Sequence, residues 1–355
     1  MEILVYGAGV VGSQYAARLR RSGHMVTIMA RGQRAVELRE QGILLEAANT
    51  GQKEIVHVII KETFESDDSY DWVIVAVRKN QIPEILPILA KNHNTPNILF
   101  LGNNPSGAGE LVKALGRNRV VLGFGGVGGI KRGNTIYYYH RPGRLFGRTF
   151  LGELDGGITP RLLDLVQALS EARLPGRIVP NMDAWLKSHA ALFSPLALAV
   201  YGAGGDNYRL ARTPDGLLLA VRAVQESLKV LRNLSVPIKP AAMLALEWLP
   251  EPLLMLYLRG LMNTQAGEIG IAGPANAARD EMKQVADEFY TLVRASGQNT
   301  PALDRLRDFL NPSAPLIAEG SVALPVDMRP VWITLGIIAG LVVYGLLSDR
   351  RNPRR

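Results

Sequence analysis

Met1-Glu2-Ile3-Leu4-Val5-Tyr6-Gly7-Ala8-Gly9-Val10-Val11-Gly12 is the stretch that decides the fold. Ile3, Leu4 and Val5 form a short apolar run of the kind that makes a buried strand. Residues 13–21 then follow a helical pattern. A G-x-G-x-x-G held between a strand and a helix is the dinucleotide fingerprint in the context it requires. Gly7 permits the tight turn. Gly9 lets the backbone approach a pyrophosphate seated on the positive end of the helix. Gly12 lets the helix lie close to the strand. Ala8, Val10 and Val11 complete this candidate cofactor cradle. Out of context such a motif is an ordinary glycine-rich turn. Here strand, turn, helix and a second strand at residues 24–30 fall in register.

The end of the second strand sharpens the reading. An NAD site places Asp or Glu there to bind the ribose hydroxyls. This chain has Met29-Ala30-Arg31-Gly32-Gln33-Arg34. No carboxylate is present to repel a 2′-phosphate, and two guanidiniums are placed to hold one. NADPH is therefore the expected cofactor. The alternative is that Arg31 is a solvated strand-end residue.

The bulk composition bounds the rest. The 355 residues are enough for two domains with separate cores. A hydrophobic content of 47% and a charged content of 20% describe a globular chain. The absence of cysteine excludes disulfides, cysteine-ligated zinc, iron–sulfur clusters and thiol nucleophiles. Five scattered histidines show no metal-binding spacing, so no metal is expected. The net charge of +8 suits an anionic cofactor and substrate. It is too diffuse, and too poor in interleaved aromatics, to indicate nucleic acid.

Strand-then-helix alternation continues through the first half, as in a doubly wound, mostly parallel α/β Rossmann sheet. Buried strands are read at 72–77, 97–101 and 120–123, with helices at 82–91 and 107–115. Residues 135–139 and 148–151 look like an antiparallel hairpin. A helix is read at 160–172 and a short strand at 176–179. From Met182 apolar residues recur at three and four. Helices are expected at 182–202, 216–234, 240–247, 251–262, 273–296 and 301–310. The domain boundaries are 1–180 for the nucleotide-binding domain and 181–310 for an all-α substrate domain. Residues 311–330 hold four prolines and read as an extended linker.

Residues 331–347 carry no charge. At about 1.5 Å per residue they reach roughly 25 Å, close to a hydrocarbon core of about 30 Å. Trp332 and Tyr344 lie near the two ends, as aromatic belts do. Residues 331–348 are the candidate transmembrane or anchoring helix, and 349–355 a basic tail with four arginines. The alternative is a buried core helix. A membrane-associated protein with its catalytic domain in the cytoplasm is expected. The basic tail favours the cytoplasmic side, where the nucleotide domain must also lie, and one span cannot satisfy both. A tail anchor that translocates the polar end is one solution; an interfacial or hairpin insertion is another. Gly336 and Gly340 form a G-x-x-x-G that fits a homodimer.

Reducing a ketone needs a hydride, a proton donor at the carbonyl oxygen, and polar groups for the substrate. Lys187, in Asp183-Ala184-Trp185-Leu186-Lys187, begins the helical half and faces the cleft where ligands of such sheets bind. The alternative is a surface lysine on an amphipathic helix.

These pieces together resemble the ketopantoate reductase family. They are the glycine turn, Gly23-His24-Met25-Val26-Thr27 with Ala30-Arg31-Gly32, and Val77-Arg78-Lys79-Asn80-Gln81. The Asn103 turn, Thr149-Phe150-Leu151-Gly152-Glu153, Trp185-Leu186-Lys187 and Thr300-Pro301 complete the set. The resemblance covers residues 1–310. It implies an NADPH-binding Rossmann domain followed by a helical domain like that of 6-phosphogluconate dehydrogenase. It also implies reduction of 2-oxo acids, typically 2-dehydropantoate to pantoate in pantothenate biosynthesis.

By the same resemblance Lys187 is the catalytic proton donor, and Asn103 lies beside nicotinamide and substrate. Arg78 takes the place of a cofactor-binding lysine, three before Gln81. The substrate carboxylate, placed 20 before Pro301, is Glu281; Glu268 is the other candidate. Three polar positions of the family are lost, at Ala191, Ile269 and Gly273. His189 is a candidate to compensate, or a plain helix-face histidine. The run of six glycines at 123–133 suits close approach of cofactor or substrate, or a plain flexible loop. The losses leave three readings open: reduction of ketopantoate, the same chemistry on a more apolar 2-oxo acid or ketone, and a non-catalytic NADPH-binding module.

Overall fold

β1 (Glu2–Tyr6) is buried along Ile3–Tyr6 and lies inside its sheet, with a strand paired on either side. The computed structural model describes residues 1–139 and 147–329. Along the chain the strands are β2 (Met25–Met29), β3 (Ile43–Ala47), β4 (Lys53–Val56), β5 (Ile59–Lys61), β6 (Trp72–Val75) and β7 (Ile98–Leu101). They continue with β8 (Val120–Gly125), β9 (Ile130–Arg132), β10 (Thr135–Tyr138), β11 (Thr149–Glu153) and β12 (Gly176–Ile178).

Eight of them form one sheet in the order β12-β11-β8-β7-β6-β1-β2-β5. The pairings from β5 to β8 are all parallel, so each needs a crossover and both faces are covered. The crossovers include α1 (Val10–Arg21), α2 (Gln33–Gln41), α3 (Ile82–Lys91) and α4 (Gly109–Leu115). The order in which strands are added reverses at β1, with β2 on one side and β6 on the other, and the cleft at the carboxyl ends of β1 and β6 is the ligand position of such sheets.

The expected hairpin does not form. β11 is buried at every position. It therefore joins the two-faced main sheet, antiparallel to β8 and parallel to β12. β10 alternates half-buried and buried residues, as a strand with one solvated face does. It belongs to a second sheet, β4-β3-β10-β9, parallel to β3.

The all-helical half starts after α5 (Pro160–Glu171) with α6 (Met182–Gly202). α7 (Asn207–Ala211) and α8 (Pro214–Asn233) follow, then helices Glu251–Met262, Arg279–Ser296 and Pro301–Arg307. α6 and α8 supply much of a core that is separate from those of the sheet, with Ala199, Val200, Leu228 and Leu231 fully buried. The stretch expected as one helix over 273–296 is broken. A π turn at Glu268–Ala272 leads into Gly273–Ala277, and Ala278 leaves helical geometry (φ −133°, ψ 47°) before Arg279 restarts it. Pro274 lacks the amide that a continuous helix would use.

Residues 311–329 are extended and tied to the helical core. The buried Asp215 carboxylate accepts bonds from the Ser321 hydroxyl and from the amides of Ala323 (3.0 Å) and Leu324 (2.9 Å). The Arg222 guanidinium donates to the Pro325 carbonyl at 2.7 Å. Among the described residues no helix is long and apolar enough to cross a membrane. The candidate segment 331–348 and the tail 349–355 lie outside the described residues.

Candidate active site

The glycine turn has the shape that a dinucleotide needs. Gly7 adopts φ +114°, and a Cβ there would lie 2.8 Å from the Ala76 carbonyl oxygen. A Cβ on Gly12 would lie 1.9 Å from the Gly7 carbonyl oxygen, so helix and turn touch backbone to backbone. Gly9 faces open space. It is the N-cap of α1, with no side-chain cap and no acidic residue in the first turn. The amides at this end are thus left for an anion. The residues fit a pyrophosphate.

Two guanidiniums stand at the end of β2. Arg31 is exposed and donates to the Tyr6 hydroxyl at 3.1 Å. Arg34 folds back over the turn, donating to the Ala8 carbonyl (3.3 Å) and pairing with Glu37 at 3.1 Å. Arg31 is therefore the freer of the two cations.

The glycine run after β8 is met largely by the chain itself. A Cβ on Gly126 would lie 2.2 Å from the Arg148 carbonyl oxygen, and one on Gly129 would lie 2.5 Å from that of Tyr137. These glycines close the second sheet over α1. The expectation of approach by cofactor or substrate is replaced there by backbone packing.

Residues from both halves meet at the carboxyl ends of β6 and β7. Asn103 follows β7 and donates from Nδ2 to Glu281 Oε1 at 3.1 Å. The Lys79 amide donates to the same oxygen at 3.3 Å. Burial pushes the Glu281 carboxyl above the usual carboxylate range, against the lowering effect of the Asn103 bond. Asn103 Oδ1 is buried without a partner. A buried acceptor without a partner is a position where a ligand's donor fits.

Arg78 reaches the opposite domain. Its guanidinium pairs with Asp280 at 2.9 Å and donates to the Ala277 carbonyl at 2.6 Å. Asn80 donates to the same Asp280 at 2.8 Å. Gln81 is exposed and accepts from the Arg78 amide at 3.2 Å, which shapes the local turn. The buried cation here is Lys79, whose Nζ lies 3.0 Å from Asn104 Oδ1 and 3.6 Å from Glu288. Lys79 and Asp280 join this cluster although spacing alone passes over them. Lys79 opens a short 3-10 helix in the polar run Arg78–Gln81, so its burial has no signal in the local sequence.

Lys187 lies on the first turns of α6, mostly buried, its ammonium bonded to Asp183 one turn earlier. Asp183 in turn stands against Gly107: a Cβ there would lie 3.0 Å from its Oδ1. Gly107 belongs to the loop that begins at Asn103, so the lysine and the Asn103–Glu281 pair flank one loop. Glu268 is elsewhere, bound by Arg132 at 3.2 Å and by the Tyr208 hydroxyl at 3.1 Å.

The three positions that depart from the polar pattern are filled by apolar groups. Ala191 is fully buried and Ile269 is 3% exposed. Gly273 makes room for Ile130, whose Cγ2 would be 2.3 Å from an added Cβ. His189 supplies no ion. It stacks on Trp185 (centroids 5.4 Å, planes 4° apart), on Phe193, and against Phe124 at 4.0 Å. Burial lowers it to a pKa of about 4, which leaves the ring neutral.

Residues 3–156 match the model of the family described as Ketopantoate reductase PanE/ApbA. A curated 2-dehydropantoate 2-reductase from Listeria innocua is 27% identical over 228 residues, covering 62% of this chain and 72% of the relative. The crystal structure of 2-dehydropantoate 2-reductase from Geobacter metallireducens superposes with a TM-score of 0.71 at 16% identity, covering 88% of this chain and all of that one. A D-mandelate dehydrogenase solved with NADH and anilino(oxo)acetate gives a TM-score of 0.68 at 16% identity, covering 87% of this chain and 97% of the other. The nucleotide-binding half is thus similar to the ketopantoate reductase PanE/ApbA family, the curated relative is named as an oxidoreductase of that kind, and the solved structures share the two-domain fold.

Proposed function

We propose that the chain is an NADPH-dependent reductase of a 2-oxo acid, 2-dehydropantoate or a close analogue. One observation carries this: Glu281 and Asn103, from opposite domains, meet at 3.1 Å in the cleft beyond the glycine turn. When bound, the dihydronicotinamide supplies the hydride that reduces the carbonyl carbon. Lys187 gives a proton to the carbonyl oxygen, with Asp183 orienting its ammonium. Asn103 hydrogen-bonds the substrate, and Glu281 accepts from its hydroxyl. Arg31 holds the adenosine phosphate, and the amides of α1 hold the pyrophosphate.

A second reading has a specific support. Ile269, Ala191 and the Ile130 side chain over Gly273 stand where hydrogen-bonding groups would select a hydroxylated substrate. The same chemistry on a more apolar 2-oxo acid follows from that lining. The test is NADPH oxidation with a panel of 2-oxo acids, run with NADH alongside. Turnover of ketopantoate supports the first reading, and turnover of an apolar acid alone supports the second. Cofactor binding without any turnover leaves a non-catalytic NADPH-binding module.

We also infer that residues 331–347 anchor the chain to a membrane, with both globular domains in the cytoplasm. Their uncharged sequence supports this. Full-length protein is expected to float with liposomes, and deletion of 331–355 to abolish flotation.

A further inference from the structure

Helix Glu251–Met262 is apolar on both sides. Leu254, Leu258 and Met262 face the helical core. On the other side Leu253, Leu256 and Tyr257 are 52%, 66% and 68% exposed, and the preceding Trp248 and Leu249 are 73% and 41% exposed. Positions 253, 256 and 257 share one helical face, and the exposed Trp248 and Leu249 immediately precede the helix in the chain. A helix on the surface of a soluble domain normally turns charged residues outward, and a contiguous exposed apolar patch marks an interaction surface.

The chain leaves the described structure beside this patch. Glu251, in the first turn of the helix, accepts from the Asp327 amide at 2.8 Å. Arg329 is the last described residue, and the uncharged run starts at residue 331. We propose that the face formed by Trp248, Leu249, Leu253, Leu256 and Tyr257 rests on the lipid bilayer that receives residues 331–347. This rests on the anchoring reading of that segment.

Two observations favour a bilayer over the other occupants. Residues 331–347 have no polar side, so folding them onto the patch would cover one apolar surface and expose another. A bilayer buries both. The patch also carries Trp and Tyr, whose amphipathic rings settle at the headgroup level. The Arg232 guanidinium lies 5.3 Å from the Trp248 ring centroid, a cation beside the level of the lipid phosphates.

The chain has no cysteine, so a single nitroxide label can be placed without other changes. Full-length Leu256→Cys is labelled and reconstituted in liposomes of phosphatidylcholine and phosphatidylglycerol. Leu163→Cys, on the exposed side of α5, serves as the reference. In liposomes the label at 256 is expected to be several-fold more accessible to oxygen, relative to an aqueous nickel chelate, than the label at 163. Trp248→Cys should behave like Leu256→Cys and gives an independent reporter. If the protein floats and position 256 stays as open to the chelate as 163, the proposal falls and the anchor stands. If the protein does not float, the anchor and this inference fall together. Shielding from both reagents with dipolar coupling between labels would indicate a second copy on the patch and overturn the proposal.

Discussion

Asn103 and Glu281 are 178 residues apart in sequence and share a hydrogen bond of 3.1 Å. The bond joins the sheet half to the helical half at the point where substrate chemistry is placed. Replacing Glu281 by Gln keeps the volume and removes the charge. Steady-state kinetics should show KM for the 2-oxo acid raised about tenfold or more, in line with a lost charge-assisted bond of about 1.5–3 kcal/mol. The cofactor Kd should stay within about twofold of the parent at that scale. An unchanged KM would remove Glu281 from the substrate site.

Lys187 is the proposed proton donor. Lys187→Ala should bind NADPH normally and lose about 10²–10⁴-fold in turnover, the usual contribution of general acid catalysis. Cofactor fluorescence titration and single-turnover mixing measure the two quantities. Near-normal turnover would refute the mechanism.

The proposed phosphate preference rests on Arg31, which stands exposed at the end of β2. Arg31→Asp should lower the ratio of NADPH to NADH efficiency by about tenfold or more, the loss expected of about 1.4 kcal/mol in one charge-assisted phosphate contact. A ratio that does not move would assign the phosphate to Arg34 or to neither.

At Gly12 a Cβ would sit 1.9 Å from the Gly7 carbonyl oxygen. Both atoms belong to backbone elements that cannot yield separately. Gly12→Ala should destabilise the chain by about 1–3 kcal/mol, as overpacking does, and abolish cofactor binding by displacing the turn. Thermal melts and NADPH titration read the two effects. A variant that keeps parental affinity would show that the turn can open without loss.

His189 is held neutral, with burial lowering its pKa to about 4 from 6.5. Below pH 6.5 the unfolded chain takes up a proton that the folded ring refuses. Stability is therefore lost as pH falls from 6.5 towards 4, by about 3 kcal/mol at the lower limit. Denaturant unfolding of His189→Phe across this range should show a shallower decline than the parent. Parallel curves would show that His189 titrates normally.

The strand, glycine turn and first helix are legible in the sequence because they rest on local rules: an apolar run, three glycines at fixed spacing and a helical period. Lys187 and Glu281 are legible as candidates because their offsets follow the resembled family. The partition of strands into two sheets is not local. β10 and β11 both have strand character, and only the burial of both faces of β11 sends it to the main sheet. Arg78 shows a further limit. Its place near Gln81 is plain from the sequence, but its partner Asp280 is 202 residues away. Such a contact exists only once the two domains face each other. The break at Ala278 leaves the apolar period undisturbed, so the period alone does not mark it.

The hold that Asp215 and Glu251 keep on residues 321–327 has a mechanical consequence. A chain tethered through a slack leash would tumble, and its cleft would sample every direction. Here a pull on residue 329 meets Glu251 and Asp215 before any free length of chain. Within the described chain, the helical domain therefore takes the load directly.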